Sequence, residues 1–261
     1  MRTIFIGDVH GCLGELQELL GRVAFEPGTD DLVLLGDLMD RGPDPVGVVR
    51  LARQLGVRSV LGNHDEKYLR WARHEDRKLT QPGYKNPMRP FSEKALREAH
   101  ALREEGLLSW LAALPTMIQL GSWVAVHAGF EPACSMFQQR DEKILRVRYV
   151  DATGKMVPIH SDIDQPEGTT RWATVWKEPH HVVYGHHVVY GHHAQSLSHA
   201  MVDIFTDETG ERWMRYGIDT ACCFGGHLTA LVVPDLAKAE EIEFVSVKSR
   251  GVYAELWKGE S

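Results

Sequence analysis

Apolar and polar positions alternate between two periods in the first third of the chain. Thr3-Ile4-Phe5-Ile6 is a short apolar run that stops at Gly7, after which Leu13, Leu16, Leu19 and Leu20 recur at helical spacing. Residues 32–35 predict a second strand, ending at Gly36. A helix is expected after Pro43-Asp44-Pro45, with Val48, Val49, Leu51, Ala52 and Leu55 on its apolar face. Residues 57–61 predict a third strand, which stops at Gly62. Strands and helices alternating at this spacing imply a parallel βαβαβ unit.

Residues 66–114 read as mostly helical with a Pro-rich break at 81–90, and a helical cap or insertion is expected there. Residues 123–126 form a further buried strand, whereas the polar stretch 151–170 predicts a surface excursion. The last third is strand-rich, at 181–184, 201–205, 213–216, 228–233 and 242–247, with Thr206-Asp207-Glu208-Thr209-Gly210 as a turn. No linker divides the pattern, so residues 1–261 are expected to form one domain.

Composition narrows the class. With 43% hydrophobic and 25% charged residues, the chain reads as globular. A net charge of −7 gives no footprint for tight nucleic-acid binding, so an anionic substrate needs local positive charge from metals or a few arginines. The six residues before the first motif leave no room for a signal peptide, and no apolar run is long enough to span a membrane. Cys12, Cys134, Cys222 and Cys223 contain no CxxC pair, which argues against a disulfide framework or structural zinc. A reduced, cytoplasmic chain is expected.

Four strands end alike, in Gly7-Asp8-Val9-His10-Gly11, Gly36-Asp37-Leu38-Met39-Asp40-Arg41-Gly42, Gly62-Asn63-His64-Asp65 and His127-Ala128-Gly129. Ligands of a parallel α/β sheet bind beyond the carboxyl ends of its strands, so these motifs should converge. Asp8 and His10 are two apart, and in extended backbone they would face one side and share an ion. A set of carboxylate, imidazole and amide ligands suits manganese, iron or zinc in an open site. A lone Gly-Asp is usually a turn, but five such ligands at successive strand ends are hard to obtain from turn chemistry.

These blocks resemble the calcineurin-like metallophosphoesterases, and Asp40-Arg41-Gly42 is similar to their phosphoprotein phosphatase branch. The likeness continues through Tyr184-Gly185-His186 to the block at residues 217–231, which resembles bacterial diadenosine tetraphosphate hydrolases. Ala221 stands where that pattern usually has Gly, a departure expected to touch backbone packing more than chemistry. The resemblance implies an α/β fold, a metallophosphoesterase-type β-sandwich flanked by helices, with a helical insertion. It also implies two divalent ions, manganese first and iron, zinc, cobalt or nickel as alternatives. One ion would sit on Asp8, His10 and Asp37, the other on Asp37, Asn63, His127 and His186.

Two metals about 3.5–4 Å apart can share a hydroxide for in-line attack on phosphorus. His64 is placed to protonate the leaving group, with Asp40 fixing its tautomer, and Arg41 offers a bidentate fork to phosphate oxygens. Arg171 and Arg148 are candidates for a second phosphate-binding arginine. Val182-Val183-Tyr184-Gly185-His186-His187 recurs unchanged as Val188-Val189-Tyr190-Gly191-His192-His193, so the last ligand is His186 or His192. Cys222 and Cys223 lack a partner acid or base in sequence and read as buried packing.

The expected function is therefore hydrolysis of a dinucleoside polyphosphate such as diadenosine tetraphosphate, with serine/threonine protein phosphatase as the alternative. A metal-dependent nuclease is disfavoured by the negative charge, and a non-catalytic binding module by the complete ligand set. The partner would be a phosphorylated small molecule or nucleotide, or a phosphoprotein, with no membrane.

Overall fold

Residues whose apolar side chains are buried on both faces build the central strands. In the computed structural model, which describes residues 1–159, 165–186, 199–238 and 241–255, the first of these is β1 (Thr3–Ile6). It is followed by α1 (Leu13–Arg22), β2 (Asp31–Leu34), α2 (Pro45–Leu55) and β3 (Arg58–Ser59). Pro45 opens α2, the Asp44 carboxylate accepts from the Gly47 amide, and Gly56 closes it with a φ of 63°, so both ends are capped. The expected helical segment is α3 (Asn63–Thr80), α4 (Glu93–Glu104) and α5 (Leu107–Ala112). Next come β4 (Met117–Leu120), β5 (Trp123–Val126), α6 (Asp141–Ile144), β6 (Tyr149–Val150) and β7 (Met156–Val157). The chain continues with β8 (Thr170–Arg171), α7 (Trp172–Val175) and β9 (His181–Tyr184). It ends with β10 (Met201–Thr206), β11 (Arg212–Gly217), β12 (Asp219–Thr220), β13 (His227–Val233) and β14 (Glu243–Lys248).

Two sheets form the sandwich. One runs β12-β13-β1-β2-β3 with β14 beside β13, the other β10-β11-β9-β5-β4. The β1-β2-β3 pairings are parallel, as the alternating pattern implies, while β13 joins β1 antiparallel. Phe5, Val33 and Leu231 of the first sheet meet Trp123, Val183 and Tyr216 of the second in a dry inner layer. There Trp123 stacks on Tyr216 with ring centroids 5.6 Å apart. Helices α1 and α2 cover the outer face of the first sheet. Ala95, Ala99 and Leu102 of α4 and Leu107 and Leu111 of α5 join that same apolar cluster, so the helical insertion shares the main core.

Three elements differ from the expectation. The strand expected at 57–61 shortens to β3, because the Val57 amide bonds Ala52 O and the Leu61 amide bonds Pro115 O instead of the sheet. Strand β4 is additional, paired antiparallel with β5 over its whole length. The excursion at 151–170 carries β7 and the start of β8, which flank β6 in a three-stranded sheet. No helix among the described residues is long and apolar enough to cross a membrane.

Candidate metal centre

Strands β1, β2, β3, β5 and β9 each hand over, just beyond their carboxyl ends, to one of Asp8, Asp37, Asn63, His127 and His186. Two glycines permit the close approach. A Cβ on Gly62 would fall 2.0 Å from the Asp37 nitrogen, and one on Gly185 would fall 2.1 Å from Asp8 Oδ1. Asp8 and His10 do converge, but not through strand alternation. His10 has a φ of 45°, so a left-handed turn rather than extended backbone aims its ring. Asp37 (49°), Asp40 (73°), Arg41 (67°), His186 (44°) and Ala221 (60°) share that conformation. Such residues cost roughly 1–3 kcal/mol each and persist only where the surroundings enforce them. For Ala221, a glycine would adopt this conformation without the Cβ penalty, which is the physical meaning of its departure from the family pattern.

The donor atoms form two groups that share Asp37. Asp8, Asp37, His127 and His186 make one, and His10, Asp37 and His64 the other, with the ligand atoms of each within 4.8 Å of one another. Asp8 lies between the groups, 3.9 Å from both His10 Nε2 and His127 Nδ1. Asn63 Oδ1 lies 2.9 Å from His127 Nε2. The grouping thus puts His64 beside His10 and Asp8 beside His127, whereas the resemblance implies Asp8 with His10.

The chemistry of this donor set fits a cation. His10 Nδ1 faces Met39 O at 2.9 Å and His127 Nδ1 faces Leu35 O at 2.8 Å. A carbonyl can only accept, so each Nδ1 donates and each Nε2 presents a lone pair. Those lone pairs face Asp37 oxygens at 3.3 and 3.5 Å, acceptor against acceptor, and buried Asp37 Oδ2 has no hydrogen-bond partner. A divalent ion in each group would satisfy these atoms, with the carbonyls as the outer support typical of ligating histidines.

Electrostatics prepare the imidazoles but oppose one carboxylate. Burial, assisted by the Arg41 charge, pushes His10 down to about 3. Burial likewise lowers His127, and burial with the Arg148 charge holds His186 well below the ordinary histidine range. Burial next to Asp219 and Asp37 raises Asp8 well above the usual carboxylate range. For Asp37 burial also works upward, but the neighbouring His127, His64 and His10 outweigh it and hold the group low. In the metal-free chain the histidines are thus already neutral, while Asp8 keeps its proton to unusually high pH. Metal loading must displace that proton, so affinity is expected to rise with pH and loading to release protons. Calorimetry in buffers of different ionisation enthalpy checks this, and metal loading without proton release would contradict it.

Beside the ligands, Asp40 Oδ2 accepts from His64 Nδ1 at 2.8 Å, and His64 Nε2 lies 3.2 Å from Arg41 Nη2. The Arg41 guanidinium rests on the Phe224 ring, 4.7 Å from its centroid. Burial alone would raise Asp40, yet its bonds to His64 and Lys67 keep it far below the ordinary range. Three supporting residues escaped the sequence reading. Lys67 Nζ lies 2.7 Å from Asp40 Oδ2, and its position one helical turn after His64 is the signal that could have found it. Asp65 accepts from the Leu38, Met39 and Gly62 amides at 3.0 Å each, tying two motif loops together. Lys94 of α4 donates to the Arg41 and Gly42 carbonyls.

Arg148 and Arg171 line one small cavity with His186, but Arg171 is paired with Asp203 at 2.7 Å. His192 and its repeat lie outside the described residues, and His186 is in place. Cys222 and Cys223 are buried free thiols packed in or beside the helical core, and burial raises Cys223 further.

Comparison with known proteins agrees with this geometry. Residues 1–229 match the calcineurin-like phosphoesterase family. A symmetrical bis(5'-nucleosyl)-tetraphosphatase from Baumannia cicadellinicola is 31% identical over 90% of this chain and 90% of its own. An asymmetrical one from Halalkalibacterium halodurans is 30% identical over 96% and 95%. A symmetrical enzyme from Erwinia tasmaniensis reaches 42% identity, in a match spanning about half of each chain, 51% and 46%. Among solved structures, that of a candidate diadenosine tetraphosphatase superposes with a TM-score of 0.67 at 27% identity, covering 96% of this chain and 95% of that one. A yeast serine/threonine phosphatase, at 11% identity and a TM-score of 0.54, shares the fold. The chain is therefore a hydrolase of the calcineurin-like phosphoesterase family.

Proposed function

We propose that this chain hydrolyses dinucleoside polyphosphates of the diadenosine tetraphosphate type at a pair of divalent ions, manganese being the metal expected. The observation that carries this is the pair of donor groups meeting at Asp37, in a chain aligned nearly end to end with two bis(5'-nucleosyl)-tetraphosphatases. Asp8, His10, Asp37, Asn63, His127 and His186 would hold the ions. Bound there, the ions supply an activated water and polarise the phosphoryl oxygens.

The remaining work falls to the chain's own groups. His64 Nδ1–H donates to Asp40, so in its imidazolium form His64 would carry a second proton on Nε2, turned from Arg41 to the departing oxygen, and would give up that proton as the phosphate leaves. Arg41, braced on Phe224, binds the phosphate that His64 protonates. Arg148 is the second phosphate-binding arginine in this reading, because it lines the same small cavity as His186. The four free thiols suit a reducing, cytoplasmic setting.

With manganese present, kcat/KM for diadenosine tetraphosphate is expected to exceed that for a phosphoserine or phosphothreonine peptide by at least about tenfold, a gap of about 1.4 kcal/mol in transition-state binding. A steady-state comparison of the two substrates is the test. Faster cleavage of the phosphopeptide would move the assignment to a protein phosphatase.

A further inference from the structure

A second feature lies on the face of α3 that begins at Asn63. Asn63, Glu66, Arg70 and Arg73 recur there at i, i+3, i+7 and i+10, so they run along one side of the helix for about 15 Å. Glu66, Arg70 and Arg73 of this row line an open groove of about 780 Å³, a size that accommodates a nucleotide-sized ligand. Leu61, Leu114, Leu145 and Met156 form the apolar part of its floor, the rest of the lining being mostly polar or charged. Leu61 is two residues from Asn63, and the Ala128 and Gly129 amides that follow His127 bond Ile144 O, between the lining residues Lys143 and Leu145. Both segments tie the groove's lining to residues next to Asn63 and His127.

Its charge is unbalanced. Arg146 Nη2, Arg73 Nη2 and Arg70 Nη1 lie 2.8, 3.3 and 3.9 Å from the single carboxylate of Glu66. Three guanidiniums thus converge on one anion, and two positive charges remain over. The rest of the lining leaves this cluster positive, since Glu142 pairs with Arg140, Lys143 pairs with Glu131, and Asp141, which accepts from Thr116, offsets only one of the two charges. The side chains of Arg70, Arg73 and Arg146 are 45%, 70% and 34% exposed, so a ligand can reach all three. In a chain of net charge −7, a convergent cationic cluster over an apolar floor selects a ligand with a flat apolar body and several negative charges.

We propose that this groove holds the second nucleotide of the dinucleoside polyphosphate, its base on the apolar floor and its phosphates against Arg70, Arg73 and Arg146. The proposal rests on the substrate reading above. It assigns these arginines to binding and leaves the metal centre unchanged. A small aryl phosphate fills only the centre, whereas a dinucleotide spans both.

The test is steady-state kinetics of the full manganese-loaded chain and its Arg70→Glu/Arg73→Glu variant on diadenosine tetraphosphate, p-nitrophenyl phosphate and an acidic phosphopeptide. The variant is expected to raise KM for diadenosine tetraphosphate at least about tenfold, with kcat/KM for p-nitrophenyl phosphate held within about twofold. The milder Arg70→Gln/Arg73→Gln chain keeps long helix-forming side chains and is expected to give about a threefold rise, which covers misfolding of the first. Unchanged KM in a chain whose wild type cleaves diadenosine tetraphosphate overturns the groove alone. Wild-type protein that cleaves p-nitrophenyl phosphate but not diadenosine tetraphosphate overturns the substrate reading instead. A parallel loss on all substrates in both variants, or a loss confined to the phosphopeptide, also overturns the proposal.

Discussion

A His64→Asn chain is expected to retain its full metal content and to turn over diadenosine tetraphosphate about 10²–10⁴ times more slowly, the usual contribution of a positioned proton donor. Asn keeps a polar group near Asp40 but cannot deliver a proton. The His64 backbone amide would still donate to Asp37 Oδ1, a bond of 2.8 Å that the substitution does not touch. Metal analysis decides between two roles, because the His64 ring also falls in a donor group with His10 and Asp37. Loss of one ion would make His64 a ligand rather than a proton donor. An unchanged rate with intact metal would remove it from the chemistry altogether.

Asp37→Asn should do more damage and of a different kind. Asn tolerates the left-handed φ of 49° better than other replacements, and its amide oxygen can still accept from the His64 backbone. What disappears is the charge common to both donor groups. Metal affinity is expected to fall beyond the roughly 10–100-fold typical of a lost supporting residue. Activity should drop by at least about 10³-fold, some 4 kcal/mol of barrier. The metal-free variant should unfold at nearly the temperature of the metal-free parent, since the neutral side chain replaces a buried charge with an unpartnered oxygen. Metal content and activity that stay within twofold of the parent would sink the bridging assignment.

The local parts of this site were readable in the sequence because each ligand sits in its own short motif at a strand end. Asp8, Asp37 and Asn63 follow apolar runs that pair in parallel, and His127 follows a run in the second sheet that packs against them. His186 follows β9 in the same manner, while its repeated copy His192 lies outside the described residues. What was hidden depends on contacts between distant segments. The aim of His10 comes from a turn bonded to residues 37–39, not from the spacing of Asp8 and His10. Asp65 was visible as a letter in the third motif, but its three backbone partners lie on loops it meets only after folding. Lys94 reaches Arg41 from 53 positions away through an insertion with no motif of its own. Strand β4 escaped because its half-buried run, Met117-Ile118-Gln119-Leu120, is too short to show a clear period.

The seat of β1 between β2 and β13 has a consequence for how the protein is made. Ile6, which leads directly into the first ligand motif, pairs with Ala230 near the far end of the chain. β1 leaves the ribosome long before its sheet partner β13. Its β2 edge can close early, but the other edge waits for most of synthesis, exposing backbone groups open to wrong pairing. Because so long a loop must close before the sheet is whole, folding should be slow for a chain of this size. A truncated chain that lacks β13 should therefore never bring Asp8 to Asp37, His127 and His186, and should show no metal uptake by metal analysis.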